Sequence, residues 1–259
     1  MYMQNMKTNP KISECLTIGI PIRIDSEERR ANLQVVIKYL ALLQCRIMVL
    51  EADEQPLAAD LCSKNSVDYR FIKDTNVVFH RTHYINLLLQ MAQTEVVGIW
   101  DADVLVDYPQ IFEALLMIRN GATISYPYDG RFIKLSEEIS VQIRQNWDFG
   151  YLRSFRMKSF HGRQLCGGAY LVHKQRYLQC GGENEHFTGW GPEDAERQHR
   201  VTILGYKACH ISYGELFHLY HPTGTNSNSL SKEETRRQRE ELIKICCMSP
   251  VELKSYIMK

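Results

Sequence analysis

The chain has 259 residues, of which 44% are hydrophobic and 24% charged, a balance typical of a soluble globular protein with a substantial core. The formal net charge of +1 gives no support to a nucleic-acid-binding function, although it allows a local basic cleft. The polar N-terminus lacks the apolar core of a signal peptide, and no run approaches the ~20 apolar residues that span a bilayer.

The first half of the chain alternates strands with helices. A strand is predicted over residues 16–22, where Pro21 is expected to end the hydrogen-bonded ladder. The helical pattern that follows starts with Arg23, Arg29 and Arg30, which either bind phosphate or form a solvated basic helix start. Further strands are predicted over residues 46–51, 68–72 and 96–100, with a helix over residues 79–93. This order indicates an α/β nucleotide-binding half.

The second half is less regular. A helix is predicted over residues 109–119 and a strand over residues 122–126. Residues 130–160 form an insertion with one helix over residues 136–147, in a position that often carries substrate specificity. We expect one domain over residues 1–259, with a nucleotide-binding half (15–105), an acceptor and catalytic half (106–225) and C-terminal helices (229–259).

The C-terminal helices are expected to be accessory. Ser231 and Glu234 form a capping box at the start of the first, and Ser249-Pro250 starts the second. The basic residues of the first helix either face solvent or make a weak peripheral contact with an anionic membrane surface; they are Arg236, Arg237, Arg239 and Lys244.

The eight cysteines are scattered and form no Cys-x-x-Cys pair, which argues against a zinc ribbon or a redox motif. Without an export signal, reduced thiols are expected. We therefore predict a cytoplasmic protein without a nucleic-acid partner, either free or at the inner face of the membrane.

Two carboxylates end the strand over residues 96–100. Asp101 and Asp103 are spaced i, i+2, so an extended backbone would direct both to one face. In open α/β sheets, ligands bind beyond the carboxyl ends of the strands, and oxygen ligands suit a hard divalent cation. The alternative is a strand that runs into an acidic turn.

A dense group of glycines, one tryptophan and several acids follows later. Gly167-Gly168 precedes a predicted strand and allows close backbone approach to a ligand. The Gly189–Pro192 turn carries Trp190, whose flat indole is a platform for a sugar ring, and Pro192 can be the first residue of the next helix. Glu193 and Asp194 then fall in the first helical turn, where the helix dipole alone can explain carboxylates.

Taken together, Asp-Ala-Asp, Gly-Gly and Gly-Trp-Gly-Pro-Glu-Asp resemble motifs of the GT-A glycosyltransferases. The resemblance covers about residues 17–222. The chain is most similar to the β-1,4-galactosyltransferases and to the catalytic domains of chondroitin polymerases and polypeptide N-acetylgalactosaminyltransferases. The implied fold is α/β, a Rossmann-like GT-A fold whose mixed, mostly parallel central sheet is flanked by helices.

The resemblance also implies the nucleotide-sugar site. Pro21-Ile22-Arg23 resembles a Pro-Phe-Arg that contacts the nucleotide, and Phe79-His80-Arg81 resembles a Phe-Asn-Arg near the uracil. Asp101 would hold the ribose or the donor sugar. The implied nucleotide-sugar residues are Pro21, Arg23, Phe79, Arg81, Asp101, Ala102, Gly168 and Trp190.

The resemblance assigns the metal and the catalytic roles as well. Asp103 would bind Mn²⁺ or Mg²⁺ together with His221 and, in place of a family methionine, His218. Residues three apart in a straight strand face opposite ways, so both histidines can bind only if the chain turns before Pro222; without the resemblance, a strand with one buried histidine is favoured. Glu193 would bind sugar hydroxyls, and Asp194 would be the base.

The expected function is inverting transfer of galactose or N-acetylgalactosamine from a UDP-sugar to a saccharide or glycolipid acceptor, in surface polysaccharide or glycan synthesis. Pro192 replaces a small residue and Ala195 an acceptor-binding acid of the galactosyltransferases, which leaves the acceptor open, and their disulfides have no counterpart here. The alternatives are a nucleotide-sugar hydrolase, a pyrophosphorylase, whose Gly-rich loop is missing, and an inactive sugar-binding module.

Overall fold

The structure, a computed structural model, describes residues 12–146, 149–153, 164–224 and 231–258. Its main sheet has seven strands in the order β3-β2-β1-β4-β8-β6-β9, and a second sheet has the order β5-β10-β7. The strands are β1 Leu16–Ile22, β2 Arg46–Asp53, β3 Asp68–Lys73, β4 Val96–Trp100, β5 Val104–Leu105, β6 Ile124–Tyr126, β7 Phe132–Lys134, β8 Ala169–His173, β9 Ala208–His210 and β10 Leu216–His218.

Helices connect these strands. They are α1 Ile12–Cys15, α2 Glu27–Ala41, α3 Ala59–Lys64, α4 Arg81–Met91, α5 Tyr108–Arg119, α6 Glu137–Asn146, α7 Phe149–Arg153, α8 Lys174–Gln179, α9 Glu193–Ile203, α10 Lys232–Cys246 and α11 Pro250–Ile257. Among the residues in the described ranges, no helix is both long enough and apolar enough to cross a membrane.

The first four strands of the main sheet, β3-β2-β1-β4, are mutually parallel. β1 and β4 are apolar and fully buried along their whole length, as expected for strands covered on both faces. Their carboxyl ends therefore open at one edge, and Asp101 and Asp103 follow β4 at that edge. The predicted mixed, mostly parallel sheet is confirmed.

Pro21 was expected to end the hydrogen-bonded ladder of the first strand. This is wrong for the pairing of β1 with β2. Its register partner in β2 is Leu50, and the pairing continues to Ile22 and Glu51. The ladder with β4 ends earlier, at Gly19 and Ile99. Because proline lacks an N–H, it is tolerated where only one neighbouring strand continues.

An antiparallel strand brings two distant motifs together. β8 pairs with β4 from Val96–His173 to Trp100–Ala169. The backbone N–H of Asp101 consequently donates to the Gly168 carbonyl at 2.8 Å. The Gly-Gly turn thus lies beside the two aspartates.

The small sheet brings a third segment to the same edge. β10 pairs antiparallel with β5, which places His218 opposite Val104. The N–H of Leu219 donates to the Asp103 carbonyl at 2.7 Å. Trp100, the last residue of β4, is fully buried, and its Nε1 donates to the Val104 carbonyl at 3.2 Å. The backbone around Asp103 is therefore held from both sides.

The C-terminal helices are more than accessory. Helix α10 packs along α9, and its Gln238 is 1% exposed. The Gln238 amide donates to the Thr188 carbonyl at 2.5 Å, just before the turn that carries Trp190. The predicted capping box at Ser231 and the predicted helix start at Ser249-Pro250 are both confirmed, and Ser249 forms a capping box as well. The insertion helix α6 runs to Asn146, and Trp147, which was predicted as its end, lies outside the described residues.

Candidate active site

Asp103 is the centre of a three-residue cluster. Its side chain is almost completely buried, and it lies close to two imidazole rings. His218 Nε2 is 3.4 Å from Asp103 Oδ1, and His221 Nε2 is 3.2 Å from Asp103 Oδ2. One ligand atom from each residue lies within 4.8 Å of the others, which is the arrangement that a shared cation needs.

Both histidines reach Asp103 because the chain turns after β10. The strand ends at His218, and the next residues are tied to the insertion helix α6 and to α2. Ser140 Oγ accepts from the Tyr220 N–H at 2.8 Å, while Arg144 and Asn32 both donate to the Tyr220 carbonyl. The chain therefore turns before Pro222, which is the condition under which both histidines can bind one metal ion.

The electrostatics of the cluster favour an ionised carboxylate beside a neutral imidazole. Burial alone would raise the pKa of Asp103, but His218, His221 and the Arg29 guanidinium outweigh it and hold that pKa well below its usual range. Burial lowers the pKa of His218. Burial also tends to lower the pKa of His221. The hydrogen bond to Asp103 and the charge of that carboxylate outweigh it, so the pKa of His221 is raised overall. An ionised carboxylate and neutral imidazoles are the protonation states that metal ligands require.

The donor set fits a divalent transition metal. Asp103 Oδ1 is buried and faces His218, but within the described part of the chain it has no hydrogen-bond partner. One carboxylate and two imidazoles form a mixed oxygen and nitrogen set, which suits Mn²⁺ better than Mg²⁺ because Mg²⁺ prefers oxygen ligands.

Asp101 points to a different partner from Asp103. Its carboxylate accepts from Arg81 Nη2 at 2.5 Å. Burial raises the pKa of Asp101, and Arg81 opposes that rise. The other terminal guanidinium nitrogen, Arg81 Nη1, is buried, and no described residue forms a hydrogen bond with it. The structure thus places Arg81 at the aspartates, and its free donor is available to a ligand there.

Glu193 and Asp194 begin helix α9. Pro192 was predicted to be the first helical residue but is the N-cap, so the helix begins one residue later than the sequence suggested. Burial, and after it the Asp194 carboxylate, raises the pKa of Glu193 to about 8. Glu193 Oε2 has no hydrogen-bond partner in the ranges that the structure describes. At neutral pH Glu193 is therefore largely protonated and can donate a hydrogen bond.

Asp194 lies between the Gly-Gly turn and a buried arginine. A side chain at Gly167 would meet Asp194 Oδ2 at 2.3 Å, so the missing Cβ makes room for this carboxylate. Asp194 Oδ1 is 2.9 Å from Arg197 Nη1, and Arg197 is itself paired with the buried Glu183. At Gly168 the corresponding space is filled by core side chains, including Leu216 at 3.0 Å.

Trp190 stands on a turn whose first residues are held by two hydrogen bonds. The Gly189 N–H donates to the Phe79 carbonyl at 3.2 Å, and Gln238 holds the Thr188 carbonyl. The indole is 73% exposed. It can therefore serve as an open platform beside Glu193, and the residues in the described ranges do not enclose it in a pocket.

Several of the residues that were proposed to bind the nucleotide have mainly structural contacts. Arg23 donates to the Ala52 and Asn76 carbonyls at 3.0 and 2.7 Å, and to Asp74 Oδ2 at 2.5 Å. Its guanidinium also lies 5.4 Å from the centre of the Phe79 ring. Pro21 is buried in β1, and Ala102 is buried in the core. Of this group, half-buried Phe79 is the one that offers a side-chain surface to a nucleotide base.

Three side chains that belong to the site were missed or placed only roughly from the sequence. Arg197, three residues after Asp194, could have been noted from the helical i, i+3 spacing. Gln238 had no local signal, since only tertiary packing brings α10 to the Trp190 turn. Arg29 was grouped with Arg30, but Arg29 contacts Asp103 while Arg30 pairs with Asp60 of α3.

Known proteins resemble this chain in sequence over part of its length. A family model described as the N-terminal domain of galactosyltransferase matches residues 152–222. The β-1,4-galactosyltransferase 7 proteins of Homo sapiens and Mus musculus are each 25% identical to this chain over 123 residues. That match covers 46% of this chain and 37% of each relative, so it spans well under half the length of those relatives.

Solved structures extend the likeness to the whole fold. The catalytic domain of Drosophila β-1,4-galactosyltransferase 7 in complex with xylobiose has a TM-score of 0.51 at 16% identity, covering 92% of this chain and 83% of that one. GalNAc-T7 with UDP, GalNAc and Mn²⁺ has a TM-score of 0.58 at 13% identity, covering 91% of this chain and 48% of that one.

A third structure is glucosyl-3-phosphoglycerate synthase from Mycobacterium tuberculosis with Mn²⁺, UDP and glucosyl-3-phosphoglycerate. Its TM-score is 0.55 at 13% identity, and the match covers 91% of this chain and 81% of that one. The chain therefore has the GT-A fold and resembles the β-1,4-galactosyltransferases over the segment that carries Trp190, Glu193, Asp194 and the two histidines.

Proposed function

We propose that this protein is a metal-dependent, inverting glycosyltransferase that moves a hexose from a UDP-sugar to a saccharide acceptor. One observation carries the proposal. Asp103 Oδ1, Arg81 Nη1 and Glu193 Oε2 are all buried at the same edge of the sheet, and none of them has a hydrogen-bond partner among the residues that the structure describes. Since nearly all buried polar atoms in folded proteins are paired, these atoms indicate a polar, charged ligand that belongs there.

Asp103, His218 and His221 would hold Mn²⁺. When bound, a divalent cation neutralises the charge that develops on the leaving diphosphate. The protein's own part is to keep Asp103 ionised and His218 neutral, which the burial and charges of the site favour. GalNAc-T7, which has a similar fold, binds Mn²⁺ together with UDP, and this supports the same pairing here.

Uridine diphosphate is the proposed nucleotide. Its base would lie on Phe79, whose ring is braced by Tyr84 at a centroid distance of 5.1 Å and by Arg23. Arg23 would act mainly by holding the ends of β1, β2 and the loop after β3 in place, since it donates to groups of the protein. Galactose or N-acetylgalactosamine is the proposed sugar, in line with the UDP-Gal and GalNAc bound to two structurally similar proteins.

The donor sugar would lie between Arg81 and Glu193. Burial acts to lower the pKa of Arg81, but the carboxylates of Asp101 and then Asp194 outweigh it, so Arg81 stays charged. Its unpaired Nη1 can donate to a sugar or phosphate oxygen. Protonated Glu193 can donate to a sugar hydroxyl as well, so both groups bind oxygen atoms of the donor. The exposed face of Trp190 would contact the sugar ring.

Asp194 would accept the proton of the acceptor hydroxyl. It is ion-paired with Arg197 through Oδ1, and its side chain keeps 32% exposure, so an acceptor can approach it. A single base predicts attack on the sugar from the face opposite the diphosphate, with inversion at the anomeric carbon. The base needs to come within ~2.6–3.2 Å of the hydroxyl.

The acceptor is proposed to be a saccharide or a glycolipid of a surface polysaccharide or glycan. A reducing, cytoplasmic setting is proposed because the scattered cysteines form no Cys-x-x-Cys pair and two of them, Cys246 and Cys247, are exposed thiols.

Turnover with a panel of donors tests the proposal. The purified protein is incubated with UDP-sugars, Mn²⁺ and assorted saccharide acceptors, and both UDP release and product are measured. Acceptor-dependent product supports glycosyl transfer. UDP release into water alone would make the protein a hydrolase, and binding without turnover would make it a sugar-binding module; either result overturns the proposal.

A further inference from the structure

Arg29 lies inside the candidate metal site, although it belongs to the first turn of α2. Its Nη1 is 3.1 Å from Asp103 Oδ2, and its Nη2 is 3.3 Å from His221 Nδ1. Its Nε donates to Asp25 Oδ1 at 2.6 Å. The guanidinium is therefore held between two carboxylates, one of which is the proposed metal ligand.

The contact with His221 is not a hydrogen bond that holds Arg29. His221 Nδ1 also lies 2.8 Å from the Pro222 carbonyl oxygen, which can only accept. The proton must therefore be on Nδ1, in both the neutral and the charged form of the ring. An N–H group cannot accept from Arg29, so Nη2 gains no hydrogen bond there and can bind another acceptor.

Arg29 opposes a cation that enters the site without a nucleotide. A divalent ion on Asp103 and the two histidines would lie beside the guanidinium, and in a largely buried site water screens the repulsion poorly. Arg29 also neutralises Asp103 when no metal is bound, and that favourable contact weakens when a cation takes the carboxylate. Both effects lower the affinity of the protein for the metal alone.

A diphosphate reverses this balance. Its negative charges attract the metal and the guanidinium at once, and the planar fork of arginine matches phosphate oxygens. We infer that Arg29 makes metal binding and nucleotide binding depend on each other: it weakens binding of the metal alone and strengthens binding of the metal together with a nucleoside diphosphate. The inference rests on the proposed function, because it assumes that both ligands bind at this edge.

The test compares Arg29→Gln with Arg30→Gln. The second substitution is a matched control, because Arg30 is the next residue of the same helix but pairs with Asp60 at 2.7 Å and donates to the Leu57 carbonyl. The dissociation constant of Mn²⁺ is measured by electron paramagnetic resonance, with and without saturating UDP. Circular dichroism confirms that the variants are folded.

For the unchanged protein and for Arg30→Gln, UDP should tighten Mn²⁺ binding by about 5- to 150-fold, the usual range for coupled sites. In Arg29→Gln, Mn²⁺ alone should bind several-fold tighter and UDP should add much less. Unchanged or weaker binding of Mn²⁺ alone in Arg29→Gln, with undiminished coupling, overturns the inference and leaves the proposed function intact.

Arg29→Lys provides an independent check if Arg29→Gln does not fold. Lysine keeps the charge but lacks the fork, so Mn²⁺ alone should bind about as weakly as to the unchanged protein. Tight binding of Mn²⁺ alone to Arg29→Lys would contradict a role for the charge. If the unchanged protein binds neither Mn²⁺ nor UDP, it is the proposed function that fails.

Discussion

Glu193 and Asp194 are adjacent in the sequence, yet the first turn of α9 buries Glu193 and leaves the side chain of Asp194 32% exposed. Successive residues of a helix project about 100° apart, so one faces the interior and the other the cleft. The two carboxyl groups therefore have different protonation behaviour, and each of them leads to a separate test.

The buried Glu193 should make the protein less stable as the pH rises. Its pKa of about 8 lies above the ordinary 4.5, so the folded protein keeps a proton that the unfolded chain releases. The free energy of unfolding should fall between about pH 4.5 and pH 8, by at most ~1.4 kcal/mol per pH unit.

Glu193→Gln should remove that loss. Urea unfolding at several pH values should show the variant gaining stability over the unchanged protein as the pH rises toward 8. The exposed Glu54→Gln is the control and should show no such trend. A difference between Glu193→Gln and the unchanged protein that stays constant with pH would contradict a raised pKa.

Asp194→Asn should affect turnover and not nucleotide binding. The amide has nearly the same shape but cannot accept the acceptor proton, so kcat should fall by about 10²- to 10⁴-fold. UDP affinity, measured by calorimetry, should stay close to that of the unchanged protein, because Asp194 is not among the proposed metal ligands. Normal turnover in Asp194→Asn would assign the base to another residue.

The stereochemistry of the product tests the same assignment. A single base predicts a β-linked product from an α-linked UDP-sugar, which the anomeric proton coupling in NMR distinguishes. An α-linked product would falsify the single-base mechanism.

Asp103→Ala should abolish metal-dependent UDP binding. The substitution removes the carboxylate that both histidines face, and two imidazoles alone are a weak site. In the unchanged protein, Mn²⁺ with UDP should raise the thermal midpoint, because a ligand that binds only the folded state stabilises it. The rise should be absent in Asp103→Ala and in excess chelator; full activity in chelator would refute the metal assignment.

Trp190→Ala should weaken sugar binding without harming the fold. The indole is 73% exposed, so its loss should change the free energy of unfolding by no more than about 0.5 kcal/mol. The KM for the sugar substrates should rise, while UDP alone binds as before. Trp190→Phe keeps a flat ring, so it should raise the KM less than Trp190→Ala does. An equal rise in KM for both variants would argue against stacking of the ring on the sugar.

Arg23→Met should destabilise the protein. It leaves the carboxylate of Asp74 buried at 6% exposure without its cation, and breaking a buried ion pair typically costs ~3–5 kcal/mol. Urea unfolding measures the loss, with the exposed Arg70→Met as the control. If Arg23→Met unfolds like the unchanged protein but binds UDP poorly, Arg23 contacts the nucleotide directly.

Local patterns were sufficient for most of the elements and for the candidate residues that the structure brings together at the site. The apolar run before Asp101 predicts a buried strand because a strand covered on both faces excludes polar side chains. The capping boxes at Ser231 and Ser249 depend on residues only three apart, so the sequence alone specifies them. The Asp-Ala-Asp and Trp-Gly-Pro-Glu-Asp motifs are likewise contiguous, and the GT-A fold that they suggested is confirmed.

The tertiary structure decided which groups meet. The antiparallel pairing of β8 with β4 brings Gly168 to Asp101, and the turn after β10 brings His221 to Asp103. Neither contact leaves a trace in local periodicity, because strand order depends on packing across the whole sheet.

The tertiary structure also decided which side chains are buried and which of them are charged. Burial raises the pKa of Glu193. Arg23 contacts groups of the protein scaffold, while Arg29, from the same basic segment, contacts Asp103 in the candidate metal site. A sequence names the charged side chains, but their charge state and partners depend on the water and the counter-charges that only the folded chain arranges around them.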